Sequence, residues 1–230
     1  MELDKVYTGD CLELVKQLDE NAIDVSFTSP PYNRTNYRKY TEYDEKGVNF
    51  YNLLVSITDE LLRVTRRDVI VNLQWTYYNK VEINKYIGHY AAELKGVSVW
   101  VKNNPQPTPP QNNIGGYSVT NAFEFFFFFS RDNDKFKANA PNTSNVVFGN
   151  INPEHFEGHG AVMNKKIAER FILDYTREGD TVLDPFFGMG TTGLVCAENN
   201  RHYIGFELSP LYAERARERI AAEMAQLRLF

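Results

Sequence analysis

The chain is short of cysteine, histidine, long apolar runs and positive charge, and each shortage removes a class of protein. Its only cysteines are Cys11 and Cys196. Neither a disulfide scaffold nor a cysteine-built zinc site can be made from them. His89, His155 and His202 show no metal-ligand spacing, so no metal is expected. No apolar stretch approaches the roughly 20 residues of a membrane-spanning helix. The longest, Phe123 to Phe129, is interrupted by Glu124. The opening Met1-Glu2-Leu3-Asp4-Lys5 lacks the basic-then-apolar order of a secretory signal. A cytoplasmic protein without membrane contact is the expectation. Lys and Arg number 25 against 30 Asp and Glu, a formal net charge of -5. That balance argues against nonspecific coating of nucleic acid, though not against a local basic groove.

What is present is an ordinary globular composition: 230 residues, 43% hydrophobic and 24% charged. This suits one domain, 1–230, with a sizeable core. No internal repeat interrupts it. Short apolar runs alternate with amphipathic stretches, the pattern of an α/β sheet. Strands are predicted at Val6-Tyr7, Ile23 to Phe27, Asp68 to Asn72, Val97 to Val101, Phe123 to Ser130, Thr181 to Asp184 and Tyr203 to Phe206. Helical stripes are predicted over Leu12 to Leu18, Phe50 to Val64, Val81 to Leu94, Asn164 to Tyr175, Thr191 to Asn199 and Leu211 to Leu227. The phenylalanine strand is apolar on both faces, which predicts a central position. Three polar, irregular stretches remain, at about 33–49, 103–121 and 131–160. Loops of that length in a compact domain commonly carry function.

The first motif runs Thr181-Val182-Leu183-Asp184-Pro185-Phe186-Phe187-Gly188-Met189-Gly190-Thr191-Thr192-Gly193. It reads as a strand, a glycine turn and a helix start, whose free N–H groups face a ligand. Glu207 closes the following strand, where a carboxylate can accept from both ribose hydroxyls. A nucleoside-containing cofactor is therefore preferred to a plain tight turn. No Gly-Lys-Ser/Thr follows, which excludes a P-loop. Gly188, Gly190 and Gly193 match Gly-x-Gly-x-x-Gly, so spacing leaves a dinucleotide fold open. Asp184 suits a cationic or amine-bearing ligand better than a pyrophosphate.

The second motif is Thr28-Ser29-Pro30-Pro31-Tyr32, directly after a strand. The prolines make a rigid turn and remove two N–H donors. The carbonyls of Ser29 and Pro30 and the Ser29 hydroxyl remain as acceptors, beside the flat face of Tyr32. Such acceptors next to an aromatic ring suit the exocyclic amino group of a flipped base.

Together these motifs resemble the two signatures of S-adenosylmethionine-dependent DNA amino-methyltransferases, and the resemblance covers nearly the whole chain. It implies a Rossmann-like class I methyltransferase fold: a seven-stranded mixed sheet with helices on both faces. The catalytic motif precedes the cofactor motif, which resembles the circularly permuted β class. Serine at the first catalytic position, as Ser29, is typical of cytosine-N4 enzymes; aspartate is typical of adenine-N6 enzymes. Gly9-Asp10 resembles the loop whose aspartate contacts the cofactor adenine. Trp100-Val101-Lys102 resembles the Trp-x-Lys preceding the target-recognition loops. Asn121 to Ser130 resembles the family's Glu-aromatic strand, with Glu124 as a structural acid. His159 to Asn164 resembles the segment leading into the helix beside the methionine part, with Asn164 where the family usually has proline.

The resemblance implies site-specific transfer of a methyl group from S-adenosylmethionine, giving S-adenosylhomocysteine, to cytosine N4 in double-stranded DNA. Ser29, Pro30, Pro31 and Tyr32 would form the catalytic turn. Asp10, Thr28, Asp184, Phe186, Phe187, Gly188, Gly190, Thr191, Thr192 and Glu207 would hold the cofactor. Arg34, Arg38, Lys39 and Lys102 would contact DNA. Cytosine-C5 chemistry needs a cysteine nucleophile, and neither cysteine is placed for one. The alternative is adenine N6, which shares every site residue. More distant rivals are a nucleotide-binding oxidoreductase, which leaves the proline turn without a role, and an inactive DNA-binding homologue. A restriction endonuclease partner, an orphan role and a homodimer are each compatible with the resemblance, and no pattern in the chain chooses among them.

Overall fold

The structure, a computed structural model, describes residues 1–32, 49–76, 78–105, 120–131, 138–139, 143–151 and 162–227. Eight strands lie among them: β1 (Lys5–Thr8), β2 (Val25–Thr28), β3 (Val69–Leu73), β4 (Leu94–Lys102), β5 (Phe123–Phe129), β6 (Val146–Gly149), β7 (Thr181–Asp184) and β8 (His202–Glu207). The helices are α1 (Cys11–Val15), α2 (Phe50–Val64), α3 (Lys80–His89), α4 (Lys165–Tyr175), α5 (Thr191–Glu198) and α6 (Pro210–Leu227). The strands form one sheet in the order β1-β8-β7-β2-β3-β5-β4-β6. β5 runs antiparallel to β3 and β4, and the other neighbours are parallel.

The expected class holds, with eight strands rather than seven. The extra strand, β6, falls inside the polar stretch 131–160 and pairs Val146 to Gly149 with Val99 to Lys102. It is an edge strand with Phe148 exposed, so its residues carry little of the apolar alternation that marks a strand in sequence. The helix expected to reach Leu94 ends at His89, and Leu94 opens β4 instead. Ile87, Tyr90 and Leu94 continue a helical period past the point where the backbone leaves the helix.

Each face of the sheet buries its own layer. Ile70, Phe126 and Phe128 pack with α4, α5 and α6 on one side. Val71, Phe127 and Phe129 pack with α1, α2 and α3 on the other. The period-2 alternation of β5 therefore supplies aromatic rings to both layers. Phe126 stacks on Phe171 of α4 with centroids 3.8 Å apart, and Phe129 meets Tyr86 of α3 at 5.4 Å. Complete burial of such rings makes the centre of the sheet a rigid platform. Asn164, at the family's proline position, caps α4: its Oδ1 accepts from the Lys166 N–H at 2.9 Å.

Arg63, in the last turn of α2, and Arg66 and Arg67, just beyond it, are structural cations. Arg63 donates to the carbonyls of Val15 and Leu18, while Arg66 and Arg67 pair with Asp24 and Asp180. No helix among the described residues is long and apolar enough to cross a membrane.

Candidate active site

β1, β8, β7 and β2 are adjacent and parallel, so their C-terminal ends lie on one edge of the sheet. Those ends are Thr8, Glu207, Asp184 and Thr28. Beyond β7 the chain enters α5 on one face, whereas the helix after β2, α2, lies on the opposite face. The boundary between β7 and β2 is where the connections diverge. Open α/β sheets bind ligands in the crevice outside such a boundary. The glycine loop and the proline turn are the segments that leave these two strands.

The glycine loop is held from three sides. Gly188 and Gly190 have φ values of 52° and 76°, a left-handed backbone that glycine adopts without a Cβ clash. The Gly188 N–H donates to Glu207 Oε2 at 2.7 Å, and Oε1 accepts from the Ser209 N–H at 2.9 Å. The Gly9 N–H donates to the Glu207 carbonyl at 2.9 Å, joining the end of β1 to the end of β8. Asp10 caps α1, its Oδ1 accepting from the Leu12 N–H at 2.8 Å. Asp10, Gly188 and Glu207 thus share one edge, and all three retain solvent exposure.

Behind the loop, Asp184 is buried and multiply bonded. Its Oδ1 accepts from the Thr28 hydroxyl at 2.8 Å and the Phe186 N–H at 3.1 Å; Oδ2 accepts from the Thr192 hydroxyl at 2.6 Å. Burial is the dominant influence and raises its pKa to about 6, despite the opposing effect of these bonds. Asp184 thereby acts as the bracket between the two motifs. Phe187 is buried and stacks on Tyr203 at 5.7 Å, while Phe186 is half-buried against the opposite layer. Thr191 is buried and its hydroxyl accepts from Arg219 at 3.1 Å. Thr28, Phe187, Thr191 and Thr192 therefore shape the loop from inside.

The proline turn opens onto a polar cluster. Ser29 Oγ lies 2.9 Å from the Tyr32 hydroxyl and 3.1 Å from Asn72 Oδ1. The Tyr32 hydroxyl is 2.6 Å from Asn72 Oδ1 and 3.0 Å from Glu124 Oε2. Pro30 is buried, and Pro31 is half-buried. Asn79, fully buried, donates to the Tyr32 and Gln74 carbonyls, both at 3.0 Å, and accepts from Thr76. It fastens the turn to the segment that follows β3.

Lys102 sits in different surroundings from those of a surface cation reaching for phosphate. Its side chain is 9% exposed and its Nζ pairs with Glu124 Oε1 at 2.7 Å. It also lies 5.4 Å from the centre of the Trp100 ring. Arg34, Arg38 and Lys39 lie outside the described residues, as do most of the stretches 33–49, 103–121 and 131–160. No metal-binding group occurs among the described residues.

Asn72 and Asn79 are the members of the site that motif reasoning misses. Asn79 carries no sequence signal, because its partner Tyr32 is distant along the chain. Asn72 carries a faint one. It interrupts the apolar run Val69-Ile70-Val71-Asn72-Leu73, and a polar residue buried in a strand needs partners.

A family pattern described as DNA methylase, of the N6/N4 methyltransferase type, matches residues 23–218. The Type II methyltransferase M.Cfr9I of Citrobacter freundii is 26% identical, over 95% of this chain and 88% of its own length. The fold is similar to that of the PvuII cytosine-N4-specific DNA methyltransferase, with a TM-score of 0.75 and 23% identity over 94% of this chain and 89% of that one. It is also similar to M1.HpyAVI in complex with SAM, with a TM-score of 0.66 and 24% identity over 94% and 98% of the two chains. With the proline turn and the glycine loop leaving the neighbouring strands β2 and β7, and the family pattern spanning both, the chain belongs to the N6/N4 family of S-adenosylmethionine-dependent DNA methylases.

Proposed function

We propose that this chain methylates the exocyclic N4 of cytosine in double-stranded DNA, at a specific site, with the target base flipped out of the helix. The observation that carries the reading is the Thr28–Asp184 bond, which sets a serine-type proline turn against the glycine loop. Serine at position 29 favours cytosine over adenine N6. The name of the PvuII enzyme, whose fold is similar, states the same base for that protein.

The residues at the loop suit a nucleoside-bearing donor. Glu207 offers an acceptor carboxylate for ribose hydroxyls, Asp10 lies on the neighbouring strand end, and Gly188 and Gly190 shape the turn between them. Thr28, Asp184, Phe186, Phe187, Thr191 and Thr192 hold that wall in place. S-Adenosylmethionine, bound there, supplies an electrophilic methyl group.

The protein's own contribution is to the nucleophile. An exocyclic amino nitrogen is a poor nucleophile because its lone pair is delocalised into the ring. Ser29 Oγ and the Pro30 carbonyl accept its two N–H groups, which fixes the nitrogen and favours pyramidal geometry. Tyr32 flanks the extruded base. Positioning and preorganised acceptors provide the acceleration. No covalent enzyme intermediate is needed, and the buried Cys11 thiol, pushed up to about 12, is unsuited to form one.

Arg34, Arg38 and Lys39 are assigned to phosphate contacts, and Lys102 to a role through Glu124. M.Cfr9I is named a Type II methyltransferase, and by analogy a cognate endonuclease is the proposed companion. The test is nucleoside mass spectrometry of unmethylated duplex DNA after incubation with S-adenosylmethionine. N4-Methylcytosine is expected. N6-Methyladenine would assign the adenine alternative, and no methylated nucleoside would contradict the function.

A further inference from the structure

Within the reading of Ser29 as the acceptor for the target amino group, on which this step rests, we infer that Asn72 is a positioning residue. It turns the Ser29 hydroxyl into an acceptor and is itself held by the Lys102–Glu124 pair through Tyr32. Asn72 Nδ2 donates to the Phe125 carbonyl at 3.1 Å, so Oδ1 is the atom that faces the turn. This oxygen has no proton to give. A hydrogen bond to it from Ser29 Oγ, at 3.1 Å, or from the Tyr32 hydroxyl, at 2.6 Å, can only be donated by the hydroxyl.

Glu124 adds the second constraint. Its Oε2, 3.0 Å from the Tyr32 hydroxyl, is another acceptor, while Oε1 is engaged by Lys102 at 2.7 Å. Two hydroxyl protons therefore face the amide oxygen and a carboxylate oxygen. The Tyr32 proton goes to Glu124 or Asn72, both stronger acceptors than a neighbouring hydroxyl. The Ser29 proton stays inside the cluster, on Asn72 Oδ1 or the Tyr32 oxygen. In either arrangement a Ser29 lone pair is directed out of the cluster, toward an incoming N–H donor. Without Asn72, Ser29 keeps the Tyr32 oxygen as its remaining inward acceptor in the cluster, so an outward proton, which meets the amino group donor to donor, competes with the productive arrangement.

Asn72 is fully buried and Lys102 and Glu124 are about nine-tenths buried, so the inner side of the cluster is closed to bulk water while Ser29 and Tyr32 stay partly exposed. The Glu124–Lys102 pair is then more than a filled cavity. Its geometry sets where the Tyr32 hydroxyl lies and, through it, which way Ser29 points. None of the four partners needs to touch the cofactor.

A double-mutant cycle tests this on the full chain. Single-turnover methyl transfer to DNA is measured for wild type, Asn72→Leu, Ser29→Ala and the double variant, with S-adenosylmethionine affinity by calorimetry. Asn72→Leu is expected to slow transfer about tenfold or more with Ser29 present and less than about threefold with Ser29→Ala. Cofactor affinity should change by less than about twofold. Glu124→Gln, of equal size, repeats the cycle should Asn72→Leu fail to fold, with the same collapse of its effect in the Ser29→Ala background. Effects that multiply independently of Ser29 would overturn the positioning role while the methyltransferase reading stands. A wild-type chain that transfers no methyl group would overturn both.

Discussion

Thr28 and Asp184 stand 156 positions apart in the chain and share a 2.8 Å hydrogen bond. Each is the last residue of its strand, and the strands β2 and β7 are neighbours at the point where the connections diverge. The bond therefore fixes the distance between the segment that would hold the target base and the segment that would hold the methyl donor.

Asp184 also makes that junction pH-sensitive. Burial raises its pKa from 3.8 to about 6, so the folded chain binds its proton more tightly than the unfolded chain. The resulting stability is fully present below pH 4 and is lost as pH rises through 6. Asp184→Asn cannot ionise. Melts of the two proteins should show the variant gaining relative to wild type between pH 4 and pH 6, then a constant difference above pH 7. A difference independent of pH would show that Asp184 is not buried as described.

Much of this was legible before the fold was known. Asp184, Glu207 and Ser29 each close an apolar run, and a strand end is where a sheet presents side chains to ligands. The six phenylalanines of β5 announce a central strand by being apolar on both faces. What stayed hidden depends on long-range pairing. Lys102 reads as a free cation until the register opposes Trp100 to Glu124 and brings the ammonium to the carboxylate. Asn72 and Asn79 reach Ser29 and Tyr32 across gaps that no local motif spans. β6 is hidden for a different reason: only Val147 and Gly149 of this edge strand face the core, and both are just partly buried.

Asn79 gives a prediction about the turn alone. It is fully buried and donates to the Tyr32 carbonyl at 3.0 Å. Asn79→Ala leaves that carbonyl and the Thr76 N–H without their partner, at a cost of about 1–3 kcal/mol. Denaturant unfolding should register this loss. Methyl transfer should fall while S-adenosylmethionine affinity stays within about twofold, because the glycine loop is untouched.

Gly190 gives the converse. Its φ of 76° disfavours any side chain, and a Cβ would stand 3.0 Å from that of Ala216. Gly190→Ala is expected to lose at least about 1–2 kcal/mol from the backbone conformation alone. The packing against α6 adds to it. Calorimetry should show weakened cofactor binding together with a lowered melting temperature.

The cysteines should be silent. Burial first, and then Asp10, pushes the Cys11 thiol up to about 12; burial likewise raises Cys196. Iodoacetamide at pH 8 should leave the native chain unmodified by intact mass and label both thiols after unfolding. An adduct on the folded chain that abolishes transfer would reopen cysteine chemistry.

The central claim is that one crevice has two halves: the proline turn for the base and the glycine loop with Glu207 for the donor. It is tested most directly by measuring donor affinity and single-turnover transfer together for wild type, Ser29→Ala and Glu207→Ala. Ser29→Ala should slow transfer by about a hundredfold with donor affinity within about threefold. Glu207→Ala should weaken donor binding by at least about tenfold, with transfer recovering substantially at saturating donor. Equal loss of binding and transfer in both variants would contradict the division of the site.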